Sequence, residues 1–289
     1  MAIKVADPDQ SLAGSGGTWV IETGGAAWWL SAGLAVTAAA ASLLTFIVPA
    51  VLRGTTVMNG SARGTALVVL LAGVPALACS MLLAARGSVA AVVTWLGTAG
   101  FLLYNALMFV FATPANRLFP LYLVMLALAA WSIGALLRQA DVAALGALFS
   151  PRTPVRAIAI YIWVTVALNA AAWLARIVPA VVHGGAPAYL SGTGLTVNIV
   201  YVQDLALWLP LLAVAAAWLW RRWPWGYLLA GAGLAGLLLV AWIAVELLVL
   251  RRYFFLQPVI AGIGAAEILL AWRWRRSGKI VTGSRDQRP

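Results

Sequence analysis

Apolar runs of about 20 residues alternate along the chain with short segments rich in Arg, Pro and Gly, and that run length is what a helix needs to cross the hydrocarbon core of a bilayer. Eight spans are predicted, at roughly 27–52, 65–85, 88–112, 118–137, 155–180, 197–220, 226–250 and 254–272. Very short links join the second span to the third, the sixth to the seventh and the seventh to the eighth, so those pairs are expected as antiparallel hairpins. Arg251-Arg252-Tyr253 alone separates the last two spans. Two longer links occupy 138–154 and 182–196. The Ser-Pro-Arg-Thr-Pro run at 150–154 breaks helix, and "ALGALF" (144–149) before it is expected as a short interfacial helix. No internal repeat emerges. Small residues recur four apart in the seventh span, Gly226 and Ala230, then Ala232 and Gly236, a spacing that lets helices approach closely.

Composition fixes the class. The 289 residues are 64% hydrophobic and 9% charged, against about 25% charged in soluble domains. Mean hydropathy is +0.97. A water-soluble fold has no means of covering its surface with so few charges. The pattern therefore predicts an all-α polytopic transmembrane bundle of about eight spans. A flexible N-terminal tail is expected at 1–26, one transmembrane domain at 27–272, and a basic C-terminal tail at 273–289. The N-terminal stretch has one Lys, two early Asp and no apolar core before the first span, so it does not read as a signal peptide.

The net charge of +11 raises nucleic acid as a partner, but the placement of the charges excludes it. Basic residues gather at the ends of apolar runs, as in "WRRWPW" (220–225) and "WRWRRSGK" (272–279), which is membrane-edge anchoring. With the N-terminus in the cytoplasm, thirteen of the nineteen Lys and Arg fall inside and six outside (Arg53, Arg63, Arg117, Arg176, Arg251 and Arg252). Both termini are accordingly expected in the cytoplasm, and the bilayer is the first partner.

Polar side chains inside spans cost roughly 2.5–3.5 kcal/mol each when ionisable, so their depths are informative. At about 1.5 Å of rise per residue, Tyr104 and Asn105 fall in the outer half of span three. Asn116, Arg117 and Tyr122 fall at the outer end of span four. Asn169 lies at mid-depth and Arg176 in the outer part of span five. Tyr201, Gln203 and Asp204 are outer in span six, Glu246 in span seven and Gln257 in span eight. Glu267 alone falls clearly in the inner half.

At about 100° per residue, Tyr161, Thr165, Asn169, Trp173 and Arg176 form one stripe of span five, and Thr94, Thr98 and Asn105 one face of span three. Tyr201, Asp204 and Trp208 share a face of span six, from which Gln203 points away. Such stripes face the bundle interior or an aqueous cavity. Candidate pocket residues are thus Tyr104, Asn105, Arg117, Asn169, Arg176, Tyr201, Asp204 and Glu246. Asp204 is expected to pair with Arg176 or Arg117, and Glu246 with Arg251 or Arg252. The Gly-rich loop "HGGAPAYLSGTGLTVN" (183–198) leads into the cluster as a cap or as an ordinary exposed loop, and Asn116 or Arg117 is a candidate helix cap.

Missing residues narrow the chemistry. Both lysines, Lys4 and Lys279, lie outside the spans, so no retinal Schiff base forms. One histidine, His183, excludes bis-His haem within the chain, and with a single cysteine, Cys79, no metal site or cofactor is expected. Cys79 reads as a small buried core residue. No metalloprotease, nucleophile-elbow or phosphate-loop motif occurs. "NGS" at 59–61 is a glycosylation sequon by pattern alone.

Three stretches, "GSARGTALVVLLAGVPALACSM" (60–81), "YNALMFVFATPANRLFPLYLVMLALAAWS" (104–132) and "LSGTGLTVNIVYVQDLALWLPL" (190–211), together resemble a group of uncharacterised multi-pass membrane proteins of bacteria. The resemblance implies an inner-membrane location in a bacterium and carries no activity, ligand or catalytic residue. The sequence itself leaves three functions open. The first is transport or binding of a small molecule or ion at an outward-facing pocket. The second is a non-catalytic partner or sensor subunit. The third is an embedded enzyme on a lipid-like substrate, with Asp204, Glu246, Tyr104 and Tyr201 as acid–base groups and Arg117 or Arg176 holding an anionic head group.

Overall fold

The computed structural model describes residues 25–184 and 187–249, and they form helices joined by short links, with no strand among them. Helix α1 spans Ala26–Ile47, α2 Thr56–Ala85, α3 Val89–Phe111, α4 Phe119–Gln139, the short α5 Val142–Ala147, α6 Val155–His183, α7 Ile199–Trp220 and α8 Pro224–Val249. Six of these, α1 to α4, α6 and α7, are long and apolar enough to cross a membrane. The chain is thus an all-α multi-pass membrane protein in its described part. Helix α8 coincides with the predicted seventh span. The predicted eighth span and the C-terminal tail lie outside the described residues, as does the N-terminal tail up to residue 24.

Side-chain caps mark four of the helix starts. Thr55 accepts from Met58 N at 3.3 Å, Ser88 from Ala91 N at 3.3 Å, Asp141 from Ala144 N at 3.0 Å and Asn198 from Val200 N at 3.0 Å, each occupying an orphan donor of a first turn. The largest departure from the predicted boundaries lies between the first two spans. Pro49 disfavours helix in the residue before it, so α1 stops at Ile47, and the Thr55 cap starts α2 nine residues earlier than its apolar run. Arg63 and the 59–61 sequon therefore sit inside a helix. The Arg63 guanidinium lies over the Phe46 ring at 5.4 Å.

Both α2 and α7 contain a π-helical turn, at Val69–Gly73 and Asp204–Trp208. Each is followed two residues later by a proline, Pro75 or Pro210. A proline inside a helix cannot donate and its ring crowds the carbonyl four residues back, here Leu71 or Ala206, within the π turn. The widened turn relieves that clash and re-pairs the backbone, with Val74 N donating to Val69 O and Leu209 N to Asp204 O.

The core sits around α3, whose apolar window is 67% buried, against 17% for α6. Helices α2, α4 and α8 pack on α3, and α1 packs on α4 and α2. Helix α7 packs on α8, and α6 lies beyond it, chiefly against α7. Polar bridges between helices are sparse and local: Trp95 Nε1 donates to Ser31 Oγ at 2.9 Å, Thr45 and Tyr122 share a hydroxyl–hydroxyl bond of 2.7 Å, and Trp163 Nε1 donates to Ala213 O at 3.1 Å. The small-residue spacing of the seventh span has a contact to match. A Cβ at Gly97 of α3 would collide with the Ala232 carbonyl, and one at Gly226 with the backbone of Trp218 and Leu219. Cys79 departs from expectation, being exposed on the outer face of α2.

The links gather at two ends. Thr55 Oγ1 donates to Thr193 O at 3.3 Å, joining the α1–α2 and α6–α7 links at one end. At the other, Arg222 Nη2 donates to Pro151 O at 2.9 Å and to Thr153 O at 3.3 Å, and Gly146 of α5 lies against Pro224. The "ALGALF" segment is largely helical, as α5 and the residues after it, and α5 packs on α8.

Candidate functional site

Asp204 lies one turn inside α7 from the Asn198 cap and opens its π turn. Its Oδ2 accepts from Trp173 Nε1 of α6 at 2.9 Å, and the Tyr104 hydroxyl of α3 faces the same carboxylate. Trp173 packs on Tyr201 with ring centroids 4.6 Å apart, and Tyr201 packs on Tyr189 at 5.2 Å. Tyr104 meets Trp208 at 6.1 Å. One carboxylate is thus set among five aromatic side chains drawn from α3, α6, α7 and the α6–α7 link.

Gln203 belongs to this cluster, contrary to the expectation that it points away. Its side chain is 2% exposed, and Trp208 Nε1 donates to its Oε1 at 3.4 Å. The reason is the π turn. Within it each residue advances by less than the α-helical 100°, so residues five apart come into register and Gln203 meets Trp208. Gln203 Nε2 is buried without a hydrogen bond, with the Tyr104 hydroxyl as its polar neighbour.

The expected ion pair does not form: among the described residues, Asp204 meets no arginine. Arg176 is exposed on α6 one turn beyond Trp173. It borders a shallow cavity of about 460 Å³ with Pro179, Pro187 and Tyr189. Arg117 is exposed in the α3–α4 turn, and α4 packs on α1 and α3, not on α7. Asn116 rather than Arg117 organises that turn, its Oδ1 accepting from Leu118 N at 2.8 Å.

The amide and threonine members of two predicted stripes are satisfied within their own helices. Asn105, 1% exposed, donates to Phe101 O at 2.7 Å, Thr98 to Thr94 O at 2.8 Å, and Thr94 to Ala90 O at 2.9 Å. In α6, Asn169 donates to Thr165 O at 2.9 Å and Thr165 to Tyr161 O at 3.0 Å. A side chain bonded to the carbonyl four residues back needs no cavity and no partner helix. Tyr122, bonded to Thr45, is committed to the α1–α4 contact.

Among the described residues the candidate site accordingly draws on three helices and a link. Tyr104, Tyr201 and Asp204 converge; Asn105, Asn169, Arg117 and Arg176 do not bond to the carboxylate. Glu246 falls in the last turn of α8, and its side chain lies outside the described residues, with Arg251, Arg252, Gln257 and Glu267. Trp173, Tyr189, Gln203 and Trp208 complete the cluster. Trp173 and Trp208 stand on the predicted stripes of their helices and Tyr189 is the one aromatic residue of the Gly-rich loop, whereas no stripe in the sequence pointed to Gln203. That link reaches the cluster through Tyr189 and the start of α2 through Thr193. Among the described residues no group of His, Cys, Asp and Glu has the make-up of a metal site.

No protein-family model matches the chain, and no curated protein or solved structure does so either. The resemblance carried by the three sequence stretches therefore assigns no family, and the functional reading rests on the site.

Proposed function

We propose that this protein binds, and in the fuller form of the reading transports, a small cation at Asp204. The observation that carries the proposal is the carboxylate on a membrane-spanning helix, held by an indole N–H and facing a phenol, with no cationic side chain against it among the described residues. A carboxylate in the hydrocarbon region is costly, and neutral donors offset only part of that cost. A cationic ligand supplies the missing charge. The rings of Trp173, Tyr201 and Tyr189 suit an ammonium-type ligand, because an aromatic face attracts a cation by about 0.5–2 kcal/mol.

The arginine count supports an outer-side position for the Asp204 end. Among the described residues, Arg53, Arg63, Arg117 and Arg176 are the basic residues at that end, and Arg86, Arg138, Arg152, Arg156, Arg221 and Arg222 those at the other. The site is then reached from outside, past the link that holds Tyr189. A bacterial inner membrane is the setting this reading assumes.

The test uses the full chain in nanodiscs. Native mass spectrometry reads what small molecule is retained, and thermal shift is recorded with tetramethylammonium, sodium and potassium as probes. At least one cation is expected to raise the melting midpoint of the wild type and leave Asp204→Asn unmoved. Retention of an anion instead, or equal cation stabilisation of Asp204→Asn, would overturn the reading. Counterflow in proteoliposomes then separates transport from binding.

A further inference from the structure

At the opposite end from Asp204, the start of α6 and the end of α7 border an open cavity of about 450 Å³ whose walls carry Arg156, Arg221 and Arg222. The three arginines are not equivalent. Arg222 has φ 58°, the one positive φ outside glycine among the described residues. Its guanidinium is spent on the carbonyls of Pro151 and Thr153, at 2.9 and 3.3 Å, and so fixes the 151–153 segment, of which Thr153 lines the cavity. Arg156 and Arg221 make no hydrogen bond and no ion pair among the described residues. Each lies over an indole, Trp220 and Trp223, with 5.5 Å from guanidinium carbon to ring centroid. Stacking occupies the flat face of a guanidinium and leaves its N–H edge open to an acceptor.

The surroundings favour an anion. The first turn of α6 has neither a side-chain cap nor an acidic residue, so its N–H groups add positive potential. Thr153 lines the cavity, and its Oγ1 is buried without a hydrogen-bond partner. The sole carboxylate at this end among the described residues, that of Asp141, is engaged with the first turn of α5 at 3.0 Å.

The exposed face of α6 identifies the source of the anion. Arg156, Ile160, Val164 and Leu168 recur every four residues, and the three apolar ones are 50, 50 and 58% exposed. From Arg156 to Leu168 that strip runs about 18 Å along the helix at about 1.5 Å per residue. This is close to the depth of one leaflet, about half of a 30 Å core. A free phosphate has no use for the strip, whereas an acyl chain lies along it. Exposed Trp220, Trp223 and Trp225 mark the level at which head groups sit.

We infer that this cavity is a binding site for the phosphate head group of an anionic phospholipid, held between Arg156 and Arg221, with an acyl chain along Ile160, Val164 and Leu168. The site is separate from Asp204 and does not depend on what Asp204 binds.

The experiment reconstitutes the full chain in nanodiscs of phosphatidylcholine mixed with phosphatidylglycerol, then reads retained lipid by native mass spectrometry after detergent release. The wild type is expected to retain phosphatidylglycerol over phosphatidylcholine. Arg156→Gln and Arg221→Gln should each lower that preference about fivefold, the worth of one basic residue near an anionic lipid, and Asp204→Asn should leave it unchanged. Arg222 is left intact because it holds the 151–153 segment. A wild-type arm needs no substitution: phosphatidylglycerol with a photoreactive group beside its phosphate should label peptides containing 153–156 or 220–222. Labelling confined to other peptides, or a preference that survives the double substitution, overturns the site. No lipid preference, but stabilisation of the protein by inorganic phosphate in detergent, overturns the lipid and assigns the cavity to a soluble anion.

Discussion

Trp173 presents one N–H to the Asp204 carboxylate at 2.9 Å while its ring packs on Tyr201 at 4.6 Å, so one side chain both orients the acid and builds the wall beside it. The two roles separate by substitution. Trp173→Phe keeps most of the ring packing and removes the donor. It should cost about 0.6 kcal/mol and no more than about 1.7, the average and maximum for interhelical hydrogen bonds in a membrane protein, read as a lower melting midpoint in detergent. Asp204→Asn retains an acceptor for the indole and loses the charge, so its midpoint should equal or exceed that of the wild type. A destabilised Asp204→Asn beside a silent Trp173→Phe would mean that the carboxylate serves the fold through other contacts. At this scale the sequence was legible for Asp204, Tyr201 and Tyr104, because depth in a span follows from counting residues. It was misleading for Asn105 and Asn169. Their helical stripe has the same spacing whether it lines a chamber or bonds back to the helix, and the back-bonds to Phe101 and Thr165 decide the matter. The arginine partner failed for a related reason: depth alone does not say which helices touch, and α4, which Arg117 precedes, does not pack on α7.

Helices as units were the most readable level, since an apolar run long enough for the bilayer leaves the backbone few alternatives to helix. Boundaries at 88, 118, 155 and 197 agree with the structure to within two residues. The early start of α2 and the place of Gln203 were hidden because each depends on a short-range device, the Thr55 cap in one case and the Pro210-linked π turn in the other. The second device is testable. Pro210→Ala restores an N–H and frees the Ala206 carbonyl, so Asp204–Trp208 is expected to relax to α-helix and rotate the residues before it. Stability should hold or rise, because proline costs about 3 kcal/mol in a helix interior. Cation binding at Asp204 should fall, as Asp204 turns away from Trp173 and Gln203 loses its register with Trp208. Unchanged binding, with thermal shift as the readout, would show that the π turn is held by packing on α8 and not by the proline.

For the molecule as a whole, the two ends differ in chemistry, and that difference sets the sidedness of everything above. One end joins the α1–α2 and α6–α7 links through Thr55 and Thr193 and overlies the Asp204 cluster. The other is tied by Arg222 to the 151–153 carbonyls and holds the two unpaired arginines Arg156 and Arg221. Basic residues near span ends stay on the cytoplasmic side during insertion, so the Arg156 end is expected inside, facing the more anionic lipid surface, and the Asp204 end outside. Single-cysteine labelling in intact cells tests this directly. Cys79 is exposed on α2 and must first become Ser. In the Cys79→Ser background, Ser191→Cys in the α6–α7 link should react with a membrane-impermeant maleimide added from outside. Ala147→Cys, exposed on α5, should react only after the cells are opened. The opposite pattern would place Asp204 on the cytoplasmic side and the arginine cavity in the outer leaflet. The cation would then be taken from the cell interior, and the lipid site would face the leaflet poorer in anionic head groups.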